Sequence, residues 1–336
     1  MQKARLYTSH DGQVRCNLCC HHCRIKTGRR GLCRVRENRN GELYSLVYGK
    51  LVAEHIDPVE KKPLFHLFPG SLSYSISTRG CNFHCLHCQN ASISQVGKDD
   101  DPGRFCVDRS PEQVVAAASA AGCRTISYTY VEPTIFFEFA YDCCLLAVEN
   151  NIGNIFVSNG YMSEQTTRLL APVLTGINID IKSFRDDFYK SVCGARLQPV
   201  LDSVRLMYEL GVWVEVTTLL IPGRNDSTAE LRDIAAFLAG IDSQIPWHVT
   251  AFYPTYKMIE EPRTPLATLE RAREIGLAAG LSHVYEGNIP GSGGENTRCP
   301  ACEMEVITRR GFTILANRLM GGACPSCHAA IAGVWG

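Results

Sequence analysis

Arg79-Gly80-Cys81-Asn82-Phe83-His84-Cys85-Leu86-His87-Cys88-Gln89-Asn90 follows directly on a strand-like segment and spaces three cysteines as C-x3-C-x2-C. A cubane iron-sulfur cluster takes four thiolates. Three of them on one tight loop therefore hold three irons and leave the fourth open to a substrate or cofactor. A zinc knuckle is the plain alternative for the same cysteines, but a zinc site needs a fourth ligand.

Outward from that loop the chain alternates strand-like and helix-like pieces. Strands are expected near Ser73 to Arg79, Thr125 to Tyr130, Asn154 to Asn159, Gly176 to Lys182, Val212 to Leu220 and Trp247 to Phe252, where β-branched and aromatic residues gather between turn signals. Helices are expected between them. Pro111 to Ala121 opens on Ser110 as N-cap with Pro111 at the first helical position, and Ser227 stands three residues before Glu230 in capping-box spacing. Repeated β-then-α units favour a parallel sheet, because parallel strands need crossovers. Six such units suit an α/β fold built as an open, partial (β/α)6 TIM-like barrel, while the alternation alone equally permits a doubly wound sheet. In both, the reactive loops gather at the C-terminal ends of the strands.

The 336 residues suffice for one barrel-sized domain with small appendages. Lys plus Arg and Asp plus Glu both count 34, so overall charge gives no reason to expect nucleic acid as a partner. Met1-Gln2-Lys3-Ala4-Arg5 leads into polar sequence, and no stretch is long and apolar enough to span a bilayer. The expectation is a cytoplasmic protein without a membrane partner.

Of 17 cysteines, twelve lie in knots with metal-ligand spacing. Reducing conditions turn such knots toward metal binding. Cys106, Cys123, Cys143, Cys144 and Cys193 lack that spacing and read as small buried apolar residues. Near the C-terminus, Cys299-Pro300-Ala301-Cys302 and Cys324-Pro325-Ser326-Cys327 are paired C-x2-C knuckles. Such knuckles suggest a zinc-ribbon-like module, with iron-sulfur as the second choice of metal. Near the N-terminus stand Cys16, Cys19, Cys23 and Cys33, with Cys20, His21 and His22 close by. Zinc and an auxiliary iron-sulfur cluster both suit these thiolates. The expected division is a cysteine-rich metal-binding segment and linker at 1–70, a barrel at 71–290 and the zinc-ribbon-like module at 291–336.

The cysteine loop resembles that of the radical S-adenosylmethionine superfamily, most nearly its activating-enzyme branch. Further resemblances stand at the strand ends: Tyr130-Val131-Glu132 without the usual double glycine, Ser158-Asn159-Gly160, Asp180-Ile181-Lys182, Ile221 to Asp226, and Trp247 to Pro254. The N-terminal leader, the cysteine loop and the ending Tyr285 to Gly291 followed by two knuckles are similar to radical enzymes of the AmmeMemoRadiSam system, members of which are often named as pyruvate formate-lyase activating enzymes. In that subgroup a proline commonly stands where Cys20 is, which favours the other four N-terminal cysteines as ligands.

The resemblance implies a 4Fe-4S cluster on Cys81, Cys85 and Cys88. Its fourth iron is then chelated by S-adenosylmethionine, whose reductive cleavage gives a 5'-deoxyadenosyl radical that abstracts hydrogen. His87, Glu132, Ser158, Asn159, Asp180, Lys182 and His248 are the implied cofactor contacts, with Asp180 and Lys182 also as catalytic candidates. The strand period of two puts Asp180 and Lys182 on one face, where a stabilising internal ion pair is the bland alternative. Implied partners are a reductant such as flavodoxin or ferredoxin, a protein substrate such as a glycyl radical enzyme, and AMMECR-type and Memo-type proteins. A small-molecule or other peptide substrate within that system is the second reading. A non-catalytic iron-sulfur electron carrier or metal-bound scaffold is the third.

Overall fold

The computed structural model describes residues 1–289 and 291–336; Pro290, in the quoted ending and at the limit of the expected barrel, lies outside them. At its centre is an eight-stranded sheet of Ala53–Pro58 (β1), Leu72–Ser77 (β2), Thr125–Tyr128 (β3), Gly153–Ser158 (β4), Gly176–Asp180 (β5), Trp213–Leu220 (β6), Trp247–Ala251 (β7) and Val284–Gly287 (β8). Neighbours in the chain are neighbours in the sheet throughout. Strands β2 to β8 run parallel, and β1 pairs antiparallel with β2 at one edge. A doubly wound sheet has a point where strand order reverses. This one has none: strand order follows chain order from β1 to β8.

Among the described residues, the six longest helices lie in the crossovers: Pro111–Ala120 (α1), Phe137–Glu149 (α2), Glu164–Leu170 (α3), Gln198–Glu209 (α4), Thr228–Ala239 (α5) and Leu266–Ala278 (α6). The expected six β-then-α units are therefore present. A seventh parallel strand, β8, and the antiparallel β1 escaped the sequence reading, because β8 has only four residues and β1 lies in a proline-marked stretch. The capping box at α1 is complete, with Gln113 N–H donating to Ser110 Oγ and Ser110 N–H to Gln113 Oε1 at 2.9 Å. At α5 it is half made. Ser227 Oγ accepts from Glu230 N–H, but the Glu230 carboxylate turns to the loop after β5 and accepts from Phe184 N–H at 2.7 Å and from the Ser183 hydroxyl. Buried backbone needs that partner more than the solvent-side cap does.

Alternation along the strands separates two faces. Ile126, Tyr128, Phe156, Ile177, Ile179, Val214, Val216 and Val249 join the core that includes Val114, Phe139, Val204 and Leu231 of the helices. The intervening Ser73, Ser75, Ser127, Asn178, Glu215 and His248 are buried polar residues on the other face. Pairing stops at Ser77, Tyr128, Ser158 and Asp180, earlier than the expected Arg79, Tyr130, Asn159 and Lys182. The chain leaves the sheet at those points through left-handed backbone at Gly80, Tyr130 and Gly160. The cysteine loop, Glu132, Asn159 and Lys182 thus lie just beyond the strands' carboxyl ends, with Ser158 and Asp180 as the last residues of β4 and β5.

The N-terminal segment forms two small three-stranded antiparallel sheets. Its Arg36 makes a buried two-pronged pair with Glu138 of α2, both bonds 2.7 Å. At the other end, Thr297–Arg298, Glu305–Arg310 and Thr313–Asn317 form a three-stranded antiparallel sheet. Arg309 reaches from it into the central domain, donating to Phe65 O at 2.8 Å. Among the described residues, no helix is long and apolar enough to cross a membrane.

Candidate functional site

The cysteine loop hangs from β2 and is clamped by backbone bonds. Gly80 N–H donates to Ile93 O at 2.9 Å, His84 N–H to Cys193 O at 2.9 Å and Leu86 N–H to Val192 O at 3.0 Å. Cys85 is buried and Cys81 and Cys88 are half-buried. Burial pushes the Cys81 thiol up, and a hydrogen bond with Cys193, then burial, does the same for Cys85. A bound metal reverses that preference by taking the thiolate. On the loop the buried His87 Nδ1 has no hydrogen-bond partner among the described residues. Three thiols beside an orphaned polar atom fit an iron-sulfur cluster and a polar cofactor.

Beyond β3, Glu132 is buried and held from three directions. Its Oε1 accepts from Thr134 N–H at 3.0 Å and Ser158 Oγ at 2.9 Å, and its Oε2 accepts from Asn159 N–H at 2.7 Å. Burial nevertheless raises its pKa, against the opposing hydrogen bonds. Asn159 Nδ2 donates to Asn82 Oδ1 at 2.8 Å, tying the end of β4 to the cysteine loop. Glu132, Ser158 and Asn159 therefore meet beside Cys81. Oε2 keeps room for a further donor.

Asp180 closes β5, and Lys182 lies just past it. Lys182 Nζ donates to Asp180 Oδ2 at 2.9 Å. Burial works against this ammonium, but Asp180 and the sulfurs of Cys85 and Cys193 outweigh it and raise its pKa. That places the pair beside the cysteine loop. The turn Ile221 to Asp226 supports it from below, with Asn225 Nδ2 donating to Lys182 O at 2.7 Å. His87 is buried against Phe188, and burial, then Lys182, lowers its pKa to about 3.

His248 is seated differently. It is the second residue of β7, bonded through Nε2 to Glu215 at 2.6 Å and packed on Phe65 and Tyr285. None of these contacts is shared with the cysteine loop or with Glu132. Residues that the sequence reading missed include Asn82, which joins two strand ends, and Cys193, which lies against Cys85. Asp57 and Lys62 were missed as well. Cys123, Cys143, Cys144 and Cys193 are buried as expected, whereas Cys106 is only half-buried. Asn82 had a signal in its position inside the C-x3-C, but Cys193 stands more than a hundred residues away and had none.

Cys299, Cys302, Cys324 and Cys327 come together at the C-terminus with all four sulfurs within 4.8 Å of one another. Sγ to Sγ is 3.6 Å for both Cys299 to Cys327 and Cys302 to Cys324. Such a cluster can hold a metal ion. At the other end Cys16, Cys19, Cys23 and Cys33 line one cavity, while Cys20 donates instead to Met162 O at 3.0 Å.

Residues 75–238 match the family described as the Radical SAM superfamily. An uncharacterised protein of Methanocaldococcus jannaschii is 46% identical over 311 residues, covering 92% of this chain and 92% of that one. A second protein of that organism, named provisionally as a glycyl-radical enzyme activating enzyme, is 24% identical over 62% of this chain and 78% of its own. Among solved structures, a radical SAM methyltransferase from Sphaerobacter thermophilus shares the fold, with a TM-score of 0.51 at 18% identity over 66% of this chain and 68% of that one.

Proposed function

Because residues 75–238 match the radical SAM superfamily, we propose that Cys81, Cys85 and Cys88 hold a 4Fe-4S cluster and that Glu132, Ser158, Asn159, Asp180, Lys182 and His87 receive S-adenosylmethionine beside it. When bound, the pair supplies reductive cleavage of the sulfonium to a 5'-deoxyadenosyl radical that takes hydrogen from a substrate. The protein's share is orientation and exclusion of water. Glu132 offers its carboxylate to the α-ammonium group, with Ser158 and Asn159 fixing its direction. Lys182 and Asp180 supply a charged pair at the same mouth, which Asn225 keeps in place through the backbone. The observation that carries this reading is the junction of Glu132, Asn159 and Asn82, which joins two strand ends to the cysteine loop.

In the first reading of the substrate, hydrogen comes from a glycyl residue of a partner enzyme, and a flavodoxin or ferredoxin supplies the electron. The relative named as an activating enzyme supports it. The second reading is a small molecule or another peptide, with AMMECR-type and Memo-type proteins as associates. Tyr130, standing at φ 64 where the motif usually has glycine, favours it. The unreversed strand order supports a partial barrel over 71–290. The tight four-thiol cluster supports zinc in a ribbon-like module over 291–336.

The test is deoxyadenosine release by the anaerobically reconstituted, reduced protein given S-adenosylmethionine, beside a Cys88→Ala variant. Release by the parent and its loss in the variant is expected. A fully loaded parent whose cluster spectrum ignores S-adenosylmethionine would give the electron-carrier reading the advantage.

A further inference from the structure

Four cysteines in this chain close on a point, and four others do not. At the C-terminus the sulfurs of Cys299, Cys302, Cys324 and Cys327 lie within 4.8 Å of one another, the arrangement a single tetrahedral ion demands. Among the described residues this is the one group of three or more such side chains that converges so tightly. Cys81, Cys85 and Cys88, which belong to a loop built for a cluster, stay further apart. So do Cys16, Cys19, Cys23 and Cys33, yet these four line a common cavity with Leu18, Ile25 and Ile135. A cubane sets its thiolates further apart than one ion does, so an open ring of four suits a cluster and a closed one suits zinc.

The lining carries a second signal. Arg36 and Asn82 both face this cavity. Arg36 is 2% exposed, and its two terminal nitrogens are taken by Glu138, yet its Nε has no hydrogen-bond partner among the described residues. Asn82 is 1% exposed and its Nδ2 is likewise unpartnered. Two N–H donors left unsatisfied in an apolar, thiol-lined cavity are costly unless something there accepts from them. Cluster sulfurs are such acceptors, and hydrogen bonds to them tune the cluster's potential. A zinc ion adds no acceptor to the four thiolates, whereas a cubane adds its own sulfides.

We propose that Cys16, Cys19, Cys23 and Cys33 ligate a second iron-sulfur cluster, fully coordinated by protein and packed against the loop of the first. With four thiolates it keeps no open iron, so it is an electron-holding group and not a substrate site. Its neighbourhood to the first follows from two contacts. Asn82, next in the chain to Cys81, lines its cavity. Gly80, on the other side of Cys81, lies so close to Cys33 that a Cβ there would stand 2.9 Å from the Cys33 carbonyl oxygen. The site assignment stands apart from the radical reading; only the pairing of the two clusters rests on it.

The experiment measures iron, sulfide and zinc per chain, with the electron paramagnetic resonance spectrum, in full-length protein reconstituted anaerobically. The parent is compared with a central-loop variant, Cys81→Ala/Cys85→Ala/Cys88→Ala, and an N-terminal variant, Cys16→Ala/Cys33→Ala. Each variant is expected to keep about half of the parent's iron and sulfide, with zinc unchanged. The reduced parent is expected to show a broadened, spin-coupled signal that both variants lose. Should the N-terminal variant fail to fold, Cys19→Ala gives the same reading from a less buried position. The inference is overturned if the central-loop variant holds no iron, or if the N-terminal substitutions remove zinc instead of iron. In the first of those outcomes the radical reading survives; if the central-loop substitutions leave all the iron in place, the radical reading fails and this one stands.

Discussion

Tyr130 donates its phenolic hydrogen to Asp57 Oδ2 across 2.6 Å from a backbone at φ 64, a conformation that non-glycine residues adopt at a cost. The same oxygen accepts from Lys62 Nζ at 2.6 Å, and that ammonium lies 4.8 Å from the centre of the Tyr130 ring. The geometry usual for glycine is thus retained at this strand end. What holds it there is a side chain reaching across to Asp57 near the end of β1.

Removing only the hydroxyl isolates that support. Tyr130→Phe keeps the strained backbone and loses a hydrogen bond to a charged partner, so we expect it to be less stable than the parent by roughly 1.5–3 kcal/mol. Tyr130→Gly loses the same bond but relieves the strain, which is worth roughly 1–2 kcal/mol. Chemical denaturation of the three proteins checks the order. A Tyr130→Gly protein less stable than Tyr130→Phe would mean that the ring's packing, and not its hydroxyl, sustains the turn.

Lys62 gives a pH dependence with a definite sign. Burial lowers its pKa from 10.5 to about 8, with Asp57 opposing. The folded chain therefore releases this proton before the unfolded chain does. Between those two values the unfolded state binds more protons, and the contribution to stability rises with pH, at up to about 1.4 kcal/mol per unit. Lys62→Met is expected to lack this component. Denaturation midpoints of both proteins from neutral pH to pH 10 test it, and identical slopes would show that Lys62 titrates as it does in water.

Much of this was legible in the chain because hydrophobic period and turn chemistry act locally. The six strand positions, the Ser110 cap and the cysteine knots are all local signals. What escaped depends on partners distant in sequence. Glu230 has capping-box spacing, but its carboxylate is claimed by the loop carrying Ser183 and Phe184. His248 shares a strand with site-like sequence, yet Glu215 and Phe65 hold it in a separate buried network. Strand ends were read too long for a physical reason as well. Residues rich in β propensity continue past Tyr128 and Asp180, while the backbone turns away to bring Glu132 and Lys182 to the cysteine loop.

Gly80 is the position where the N-terminal segment presses on that loop. A Cβ there would lie 2.6 Å from Val35 Cγ1 and 2.9 Å from Cys33 O, at a φ of 103 that side chains rarely adopt. Gly80→Ala must displace backbone as well as a methyl group, and we expect a loss on the order of 2 kcal/mol or more. Iron retention after gel filtration should fall with it. Full iron retention with unchanged thermal stability would show that the two segments separate freely.

The C-terminal cluster should act as a local staple. Its small core of Val306, Ile307 and Ile331 includes Cys299 and Cys324 themselves, so a metal held there would be coupled to the packing. Cys302→Ser is expected to lose the bound metal and to become sensitive to limited proteolysis within 291–336 while the central sheet stays intact. Metal analysis and the fragment pattern read both effects. Proteolysis that spread through the central domain at the same rate would mean that Arg309 and its partners couple the two more tightly than the local core does.

Charge and direction can be separated at Glu132. Glu132→Gln removes the negative charge and turns an acceptor into a donor that faces Thr134, Ser158 or Asn159 N–H, so binding of S-adenosylmethionine should weaken about tenfold or more, equivalent to about 1.4 kcal/mol. Ser158→Ala keeps the charge and removes one of the bonds that aim it, and its loss should be smaller, on the order of 0.5–1.5 kcal/mol. Both variants should retain the parent's iron, because neither residue offers sulfur. Equilibrium binding to the reconstituted proteins, with iron measured on the same samples, decides between the roles. Equal losses would make Glu132 a structural keystone of the two strand ends. A large loss confined to Glu132→Gln would identify its charge as the group that meets the cofactor's ammonium.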